Sequence, residues 1–298
     1  MKFNRRARLD PSQVSDQRGR RSAGRTAAAG GGIGAVILTL LALLTGTNPA
    51  DLLGGSDSPA VEAAPGSEGE LERECQTVAD IDENQDCRFV LYVNSVQAFW
   101  EDYFAAAGQR YTPSTTTFFT TSVTTRCGTA SSQVGPFYCP GDQKVYLDLG
   151  FFDQLRTTYG GPSGQFAEAY VLAHEYGHHV QNLTGQMQRV RTQSGPDSDA
   201  VRLELQADCY AGMWARAATT SDDESGQPLI TELTDRDIAD ALAAAGTVGD
   251  DYIQERFQGT VTPESWTHGS SEQRQAWFTT GFRSGDVAAC DTFAASSL

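Results

Sequence analysis

Histidine is scarce in this chain, with four among 298 residues, and three of the four fall within six positions of one another. Whatever histidine chemistry the protein performs is therefore concentrated in one place. None of the six cysteines forms a C-x-x-C pair, which argues against a redox dithiol or a thiolate zinc site. Basic charge is also scarce beyond residue 26, where 14 Lys and Arg face 36 Asp and Glu. A body of that sign repels a phosphate backbone, which argues against a nucleic-acid partner. No internal repeat or low-complexity array is present, so a solenoid or array architecture is not indicated.

The first 26 residues have the opposite balance, eight basic against two acidic, within a formal net charge of −16 for the whole chain. They are arginine-rich and short of apolar anchors, and read as a disordered tail. Next comes the one long uncharged run, Ala27–Thr47, whose 21 residues match the ~20 needed to span a ~30 Å hydrocarbon core. Basic residues before it and acidic ones after it predict an N-terminus inside and a body outside. A cleaved signal peptide and a buried core helix are the alternatives. The flank TNPADLL has no A-x-A pattern and the basic segment is long for a signal peptide, whereas lopsided flanks disfavour a core helix. Residues 48–74, with Pro49, Gly54, Gly55, Pro59, Pro65 and Gly66, read as a linker. The domain reading is thus a basic cytoplasmic tail at 1–26, an anchor at 27–47, a linker at 48–74 and a folded body at 75–298.

Three of the histidines stand in Gly164–Thr184, where His174-Glu175-Tyr176-Gly177-His178 forms an H-E-x-x-H. On a helix, residues four apart lie one turn up and only about 40° round, so His174 and His178 present imidazoles side by side. That arrangement suits two nitrogen ligands of one divalent metal. Glu175, roughly 100° further round than His174, can miss the metal and act on a water as general base. The rival reading is a helix whose histidines solvate a polar face.

A second piece lies 26 residues past His178, within DAVRLELQADCYAGMWARAA. Leu205, Cys209 and Met213 make an apolar stripe at helical spacing, and Glu204 and Asp208 are i,i+4 neighbours on another face. A hydrolytic zinc site takes three protein ligands and leaves one open position. Ligating histidines usually pass their second N–H to a carboxylate. Glu204 as third ligand and Asp208 as that carboxylate would supply both from one helix. By itself, an E-x-x-x-D is an ordinary charged helix face.

HEYGHHVQ followed by ELQADCYAG resembles the bacterial putative neutral zinc metallopeptidase family. More broadly it resembles the gluzincin arrangement of two histidines and a glutamate on Zn²⁺, with an aspartate four residues later. CGTASSQVGPFYCPGDQKVYLDLGFF, FAEAYVLAHE, THGSSEQRQAWFTTGFRSGD and the terminal CDTF carry the same resemblance, over roughly Cys75 to Phe293. It implies a zincin-like catalytic domain that binds zinc through His174, His178 and Glu204, with Glu175 as base and a peptide or protein substrate. It also makes His268, in Trp266–Ser271, the candidate for a second donor to the developing oxyanion; a surface or capping histidine is the alternative. KVYLDL (Lys144–Leu149) would be an edge strand able to hold substrate backbone, or simply a strand packed on the helix. His179 reads as a packing or solvated residue. Tyr176 and Tyr210 are weaker oxyanion candidates whose ordinary role is packing.

The remaining chain reads as a helix from Arg88 to Gly108 with an aromatic stripe, then a strand over TTTFFTTSVTT. Another helix runs from a cap at Thr234 to Gly246, with Val248–Phe257 extending the helical part, and a last one begins at Ser270 or Ser271 and ends at Phe282. Helix, strands, then several helices make an α+β fold. All six cysteines follow the anchor, and an even count on the outer face reads as three disulfides. Short-range closure suggests Cys75–Cys87 and Cys127–Cys139, leaving Cys209–Cys290; buried free thiols, Cys209 above all, are the alternative. The function expected is that of a membrane-anchored, outward-facing zinc peptidase. A zinc hydrolase of cell-wall amides and a non-catalytic zinc-binding ectodomain are the rival readings.

Overall fold

A computed structural model of the chain describes residues 1–18, 70–75, 81 and 84–298. Its elements are β1 (Lys2–Phe3), β2 (Val14–Asp16), α1 (Glu70–Glu74), α2 (Gln85–Ala106), β3 (Thr115–Phe118), β4 (Ser122–Thr125), β5 (Gly128–Ser131), β6 (Phe137–Cys139), β7 (Lys144–Leu147), α3 (Gly150–Thr157), α4 (Gln165–Leu183), α5 (Asp199–Ala217), β8 (Ile230–Glu232), α6 (Asp235–Thr247), α7 (Asp250–Gln258) and α8 (Ser271–Ser284). The architecture is mixed α+β. A four-stranded sheet in the order β2-β3-β7-β6 lies against the helices, with β6 antiparallel to β7 and the other pairs parallel.

α4 runs through the interior, with sixteen of its nineteen residues buried. A helix buried on all sides needs small residues wherever a neighbour crosses, and Ala167, Ala169, Ala173 and Gly177 supply them. A Cβ on Gly177 would stand only 3.0 Å from both the Cα and the carbonyl oxygen of Ala207, so this glycine permits the close crossing of α4 and α5. The next crossing is tighter. A Cβ on Gly281 of α8 would fall 1.8 Å from the Cys209 carbonyl, and one on Gly212 of α5 would fall 2.1 Å from that of Phe278. The α2 side of the core is aromatic, with Phe89, Tyr92 and Trp100 buried and Trp100 edge-on to Tyr210 of α5 at 5.4 Å. That stripe fills the core as its spacing predicts.

Several expectations need correction. The segment TTTFFTTSVTT is not one strand: it breaks at Thr121, held at φ +68°, and β4 turns away to pair with β5. β-branched composition signals extended backbone but is silent about such a corner. Lys144–Leu149 does not supply an edge strand, because β7 has β3 on one side and β6 on the other. Among the described strands of this sheet, β6 is the edge on that side. The helical segments read at Thr234–Gly246 and Val248–Phe257 are present as α6, ending at Thr247, and α7, with Gly249 at its N-cap. Thr234 with Asp237, and Ser270 with Gln273, form complete capping boxes.

Residues 1–18 depart furthest from expectation, since they are not a disordered tail. β1 pairs with β8, β2 extends the sheet beyond β3, and Ala7, Leu9 and Val14 are buried. The proposed anchor Ala27–Thr47 lies outside the described residues, as does the linker up to residue 69; its last five residues form α1. Among the described residues no helix is long and apolar enough to cross a membrane. Cys75–Cys87, Cys127–Cys139 and Cys209–Cys290 are bridged, and no cysteine is free. The second bridge ties the β4–β5 hairpin to β6, and the third fastens the chain end to α5.

Candidate metal centre and catalytic cleft

The α4–α5 crossing brings the two sequence motifs face to face. His174 Nε2 lies 3.2 Å from Glu204 Oε2, and His178 Nε2 lies 3.4 Å from Glu204 Oε1. The two imidazoles stand edge-on with centroids 4.7 Å apart. Among the described residues these three form a group able to hold a metal, with one ligand atom from each inside a 4.8 Å span. Their chemistry fits that use. Two borderline nitrogens and one carboxylate oxygen converge, and the outer nitrogen of each imidazole already has a partner. His174 Nδ1 is 2.8 Å from Asp208 Oδ1, and His178 Nδ1 is 2.8 Å from Gln181 Oε1. Were Nε2 of each to hold a cation, Nδ1 would carry the proton and donate it to that oxygen.

Asp208 is fully buried and held from three further directions. Tyr170 Oη donates to Oδ1 at 2.6 Å, while Arg274 of α8 donates from Nε to Oδ2 at 2.9 Å and from Nη2 to Oδ1 at 3.1 Å. Burial alone would push this carboxyl up; the charges of Arg274 and His174 overcome it and hold Asp208 down to about 2. Glu204 shows the same contest, with burial outweighed by His178 and His174, which hold it well below the usual carboxylate range. Burial pulls the His174 imidazole down, but Asp208 and Glu204 push it up to about 10.

Glu175 lines the same cleft but makes no hydrogen bond to the ligand set. Burial pushes its carboxyl above the usual range, against the pull of His178 and His174. A carboxylate raised in this way is better matched to moving protons near neutral pH. His268 also lines the cleft, half-buried, on the loop that enters α8. Asp250, the first residue of α7, secures that loop: its Oδ2 accepts from the backbone N–H of Thr267 (2.7 Å), His268 (2.7 Å) and Gly269 (3.1 Å). Asp250 Oδ1 lies 3.2 Å from His268 Nδ1. Burial would lower the imidazole, yet Asp250 and Glu204 raise it on balance.

Other sequence candidates lie elsewhere. His179 is fully buried with Nε2 on the Thr112 carbonyl at 2.7 Å and Nδ1 3.0 Å from Tyr138 Oη, and so fastens α4 to β6. Tyr176 reaches Thr116 Oγ1 at 2.9 Å within the core, and Tyr210 packs on Trp100. Sequence reasoning missed Tyr170, Gln181, Asp250 and Arg274. Tyr170 and Gln181 had a signal, standing four residues before His174 and three after His178 on the same helix face. Asp250 and Arg274 had none, because only the packing of α7 and α8 brings them here.

The wall beside this polar floor is apolar, formed by Phe137, Phe151, Tyr159, Val171, Val248 and Ile253 around a cleft of about 130 Å³. Gly135, at φ +78° and with the Phe151 ring 3.1 Å from where its Cβ would be, lets the chain pass beneath that ring. Residues 1–293 match the family described as "putative neutral zinc metallopeptidase".

The chain belongs to this family. An uncharacterized protein of Mycobacterium tuberculosis is 51% identical over 227 residues, 76% of this chain and 76% of its own length. The uncharacterized protein YpfJ of Escherichia coli is 37% identical over 274 residues, 89% of this chain and 88% of its own. No solved structure is similar enough to the chain to match it. For a member of this metallopeptidase family, the His174–His178–Glu204 cluster is where the named metal would be held.

Proposed function

We propose that the protein is a zinc-dependent peptidase whose cleft favours peptides with a large apolar side chain beside the scissile bond. The observation that carries the reading is Glu175 in the same cleft as three converging metal donors, because a site kept only for stability needs no such carboxylate. His174, His178 and Glu204 would hold zinc. When bound, zinc supplies a Lewis acid that polarises the scissile carbonyl and acidifies water. Glu175 takes the proton of the attacking water and returns it to the leaving amine. His268 donates to the developing oxyanion, oriented by Asp250. β6, an edge strand beside the cleft, offers its free side to an extended substrate.

Substrate preference follows from the walls. Space of about 130 Å³ is close to the ~150 Å³ of an apolar cavity that admits benzene, so it suits one phenylalanine or leucine side chain. Arg274, the one arginine among the described lining residues, is committed to Asp208. In a fluorogenic peptide library, kcat/KM for peptides with Phe or Leu beside the scissile bond should exceed that for Asp or Lys by about 10², the upper range for pocket discrimination. A zinc-loaded protein that cleaves no peptide, but releases amine from cell-wall amides, would replace this reading with the amidase one.

His268→Ala should lower kcat by about 10²–10³, the usual cost of one oxyanion donor. Zinc content and Tm should stay near wild type, since the Asp250 bonds to the loop backbone remain. A donor must keep its proton, so an alkaline limb in the wild-type kcat profile should be absent from the variant's residual activity. Unchanged kcat would return His268 to a structural role.

The site of action belongs to the proposal too. Three disulfides persist in an oxidising compartment, so we place the body outside the cytoplasm.

A further inference from the structure

Residues 1–18 hold to the body through contacts that the body is built to receive. β2 lies in register on β3, with Val14, Ser15 and Asp16 opposite Thr116, Thr117 and Phe118. The Asn94 side chain of α2 brackets residue 10 as a strand would: its oxygen accepts from Asp10 N–H at 2.8 Å and its amide donates to the Asp10 carbonyl at 3.0 Å. Gln13 Oε1 accepts from Asn94 Nδ2 at 3.1 Å and from Gln97 Nε2 at 2.8 Å. Asn94 and Gln97 are themselves buried, so losing the N-terminal segment would take the bonds above from both sides of the Asn94 amide and from the Gln97 amide nitrogen, while Gln97 Oε1 keeps the Ser114 N–H at 2.9 Å. Arg18 forks onto Asp16 and Asp86, with its guanidinium over the Phe118 ring at 5.4 Å. Lys2 Nζ reaches Glu232 Oε2 at 2.6 Å. Charges that read from the sequence as a topology signal are, at Lys2 and Arg18, ion pairs of the fold.

Ala27–Thr47 lies between this segment and the rest of the body. One crossing of a ~30 Å hydrocarbon layer would leave residue 18 and residue 84 on opposite faces, out of reach of every contact above. We infer that residues 1–18 and residues 84–298 lie on the same side of the membrane, so that the folded chain makes no single net crossing between them. The orientation expected from the charge flanks, N-terminus inside and body outside, does not hold for the folded protein. With the body outside the cytoplasm, the N-terminal segment is outside with it. This inference does not depend on catalysis, and its test reads position alone.

The full-length chain with Lys2→Cys, with Glu232→Cys, and with both is labelled in spheroplasts by a membrane-impermeant maleimide. Both positions are exposed, and the native cysteines are bridged and silent. Lys2 and Glu232 are antiparallel register partners, whose Cα separation of about 4.5–5.5 Å suits a disulfide. Equal labelling of the two single variants, together with a disulfide between positions 2 and 232 in the oxidised double variant, is the expected result. If both label only after permeabilisation and the link forms, the shared side stands and the extracytoplasmic placement fails. Labelling of Glu232→Cys in sealed spheroplasts with Lys2→Cys reached only after permeabilisation would overturn the inference. So would equal labelling with no link after oxidation.

Discussion

Glu175→Gln is expected to lower kcat by about 10³–10⁴, the upper part of the range for general acid–base groups, while zinc remains bound. The proposed ligands are His174, His178 and Glu204, and none contacts the Glu175 carboxylate through a hydrogen bond, so removing its charge should take nothing from a bound metal. The amide keeps the size of the side chain but cannot accept and return a proton. Stability gives an independent check. Burial pushes the Glu175 carboxyl up, so its ionised form is disfavoured in the folded state. That penalty grows as pH rises from the unfolded pKa toward the folded one. In metal-free protein the glutamine variant should therefore melt at or above the wild-type Tm at neutral pH. Zinc by elemental analysis, kcat on an apolar peptide and Tm together decide the matter. A variant that has lost zinc with its activity would show Glu175 to be a ligand. One that retains wild-type kcat would remove it from the chemistry.

Arg274→Ala should destabilise the metal-free protein by about 3–5 kcal/mol, the cost of leaving a buried charge without its partner. Asp208 has no exposed surface, and among its recorded hydrogen bonds Oδ2 has Arg274 alone. Breaking the pair strands that oxygen, and the carboxylate that orients His174 loosens with it. Zinc affinity should fall by roughly 10–100-fold, as for other residues one step removed from a metal. The pH dependence has a definite sign. A carboxyl held down to about 2 contributes stability that is present above the ordinary Asp pKa near 4 and lost as pH falls toward 2. Without Arg274 the folded-state pKa rises toward the unfolded one, so this acid-side loss should be smaller and should end at higher pH. Denaturant titrations of wild type, Arg274→Ala, Asp208→Ala and the double variant measure the coupling. If the two single losses simply add, the pair does not work as a unit.

Much of the centre was legible before any fold was known, because its parts are local. The 3.6-residue repeat alone sets His174 and His178 side by side, turns Glu175 away from them, and puts Glu204 and Asp208 on one face of a second helix. The same repeat could have pointed to Tyr170 and Gln181. Capping boxes at Thr234 and Ser270 are local for the same reason: each joins residues three apart. Where the local signal was ambiguous, the reading went astray. A β-branched run cannot announce the corner at Thr121, and KVYLDL carries no mark of having neighbours on both sides.

By itself, then, the sequence determined which groups stand together on each helix: two imidazoles with a glutamate between them, a carboxylate pair four residues apart, and six cysteines without a metal-binding spacing. What closes the site was decided by the tertiary structure. Gly177 against Ala207 and Gly281 against Cys209 let three helices cross at near-backbone contact, which carries Arg274 onto an aspartate 66 residues earlier. The N-terminal segment was settled in the same way. Its arginines look like a topology signal along the chain, and only pairing with β3, β8 and α2 turns that segment into part of the body. The physical reason is common to both. Helical period and charge are properties of a short stretch of chain, whereas a crossing or a strand pairing depends on surfaces that meet only when distant segments have folded.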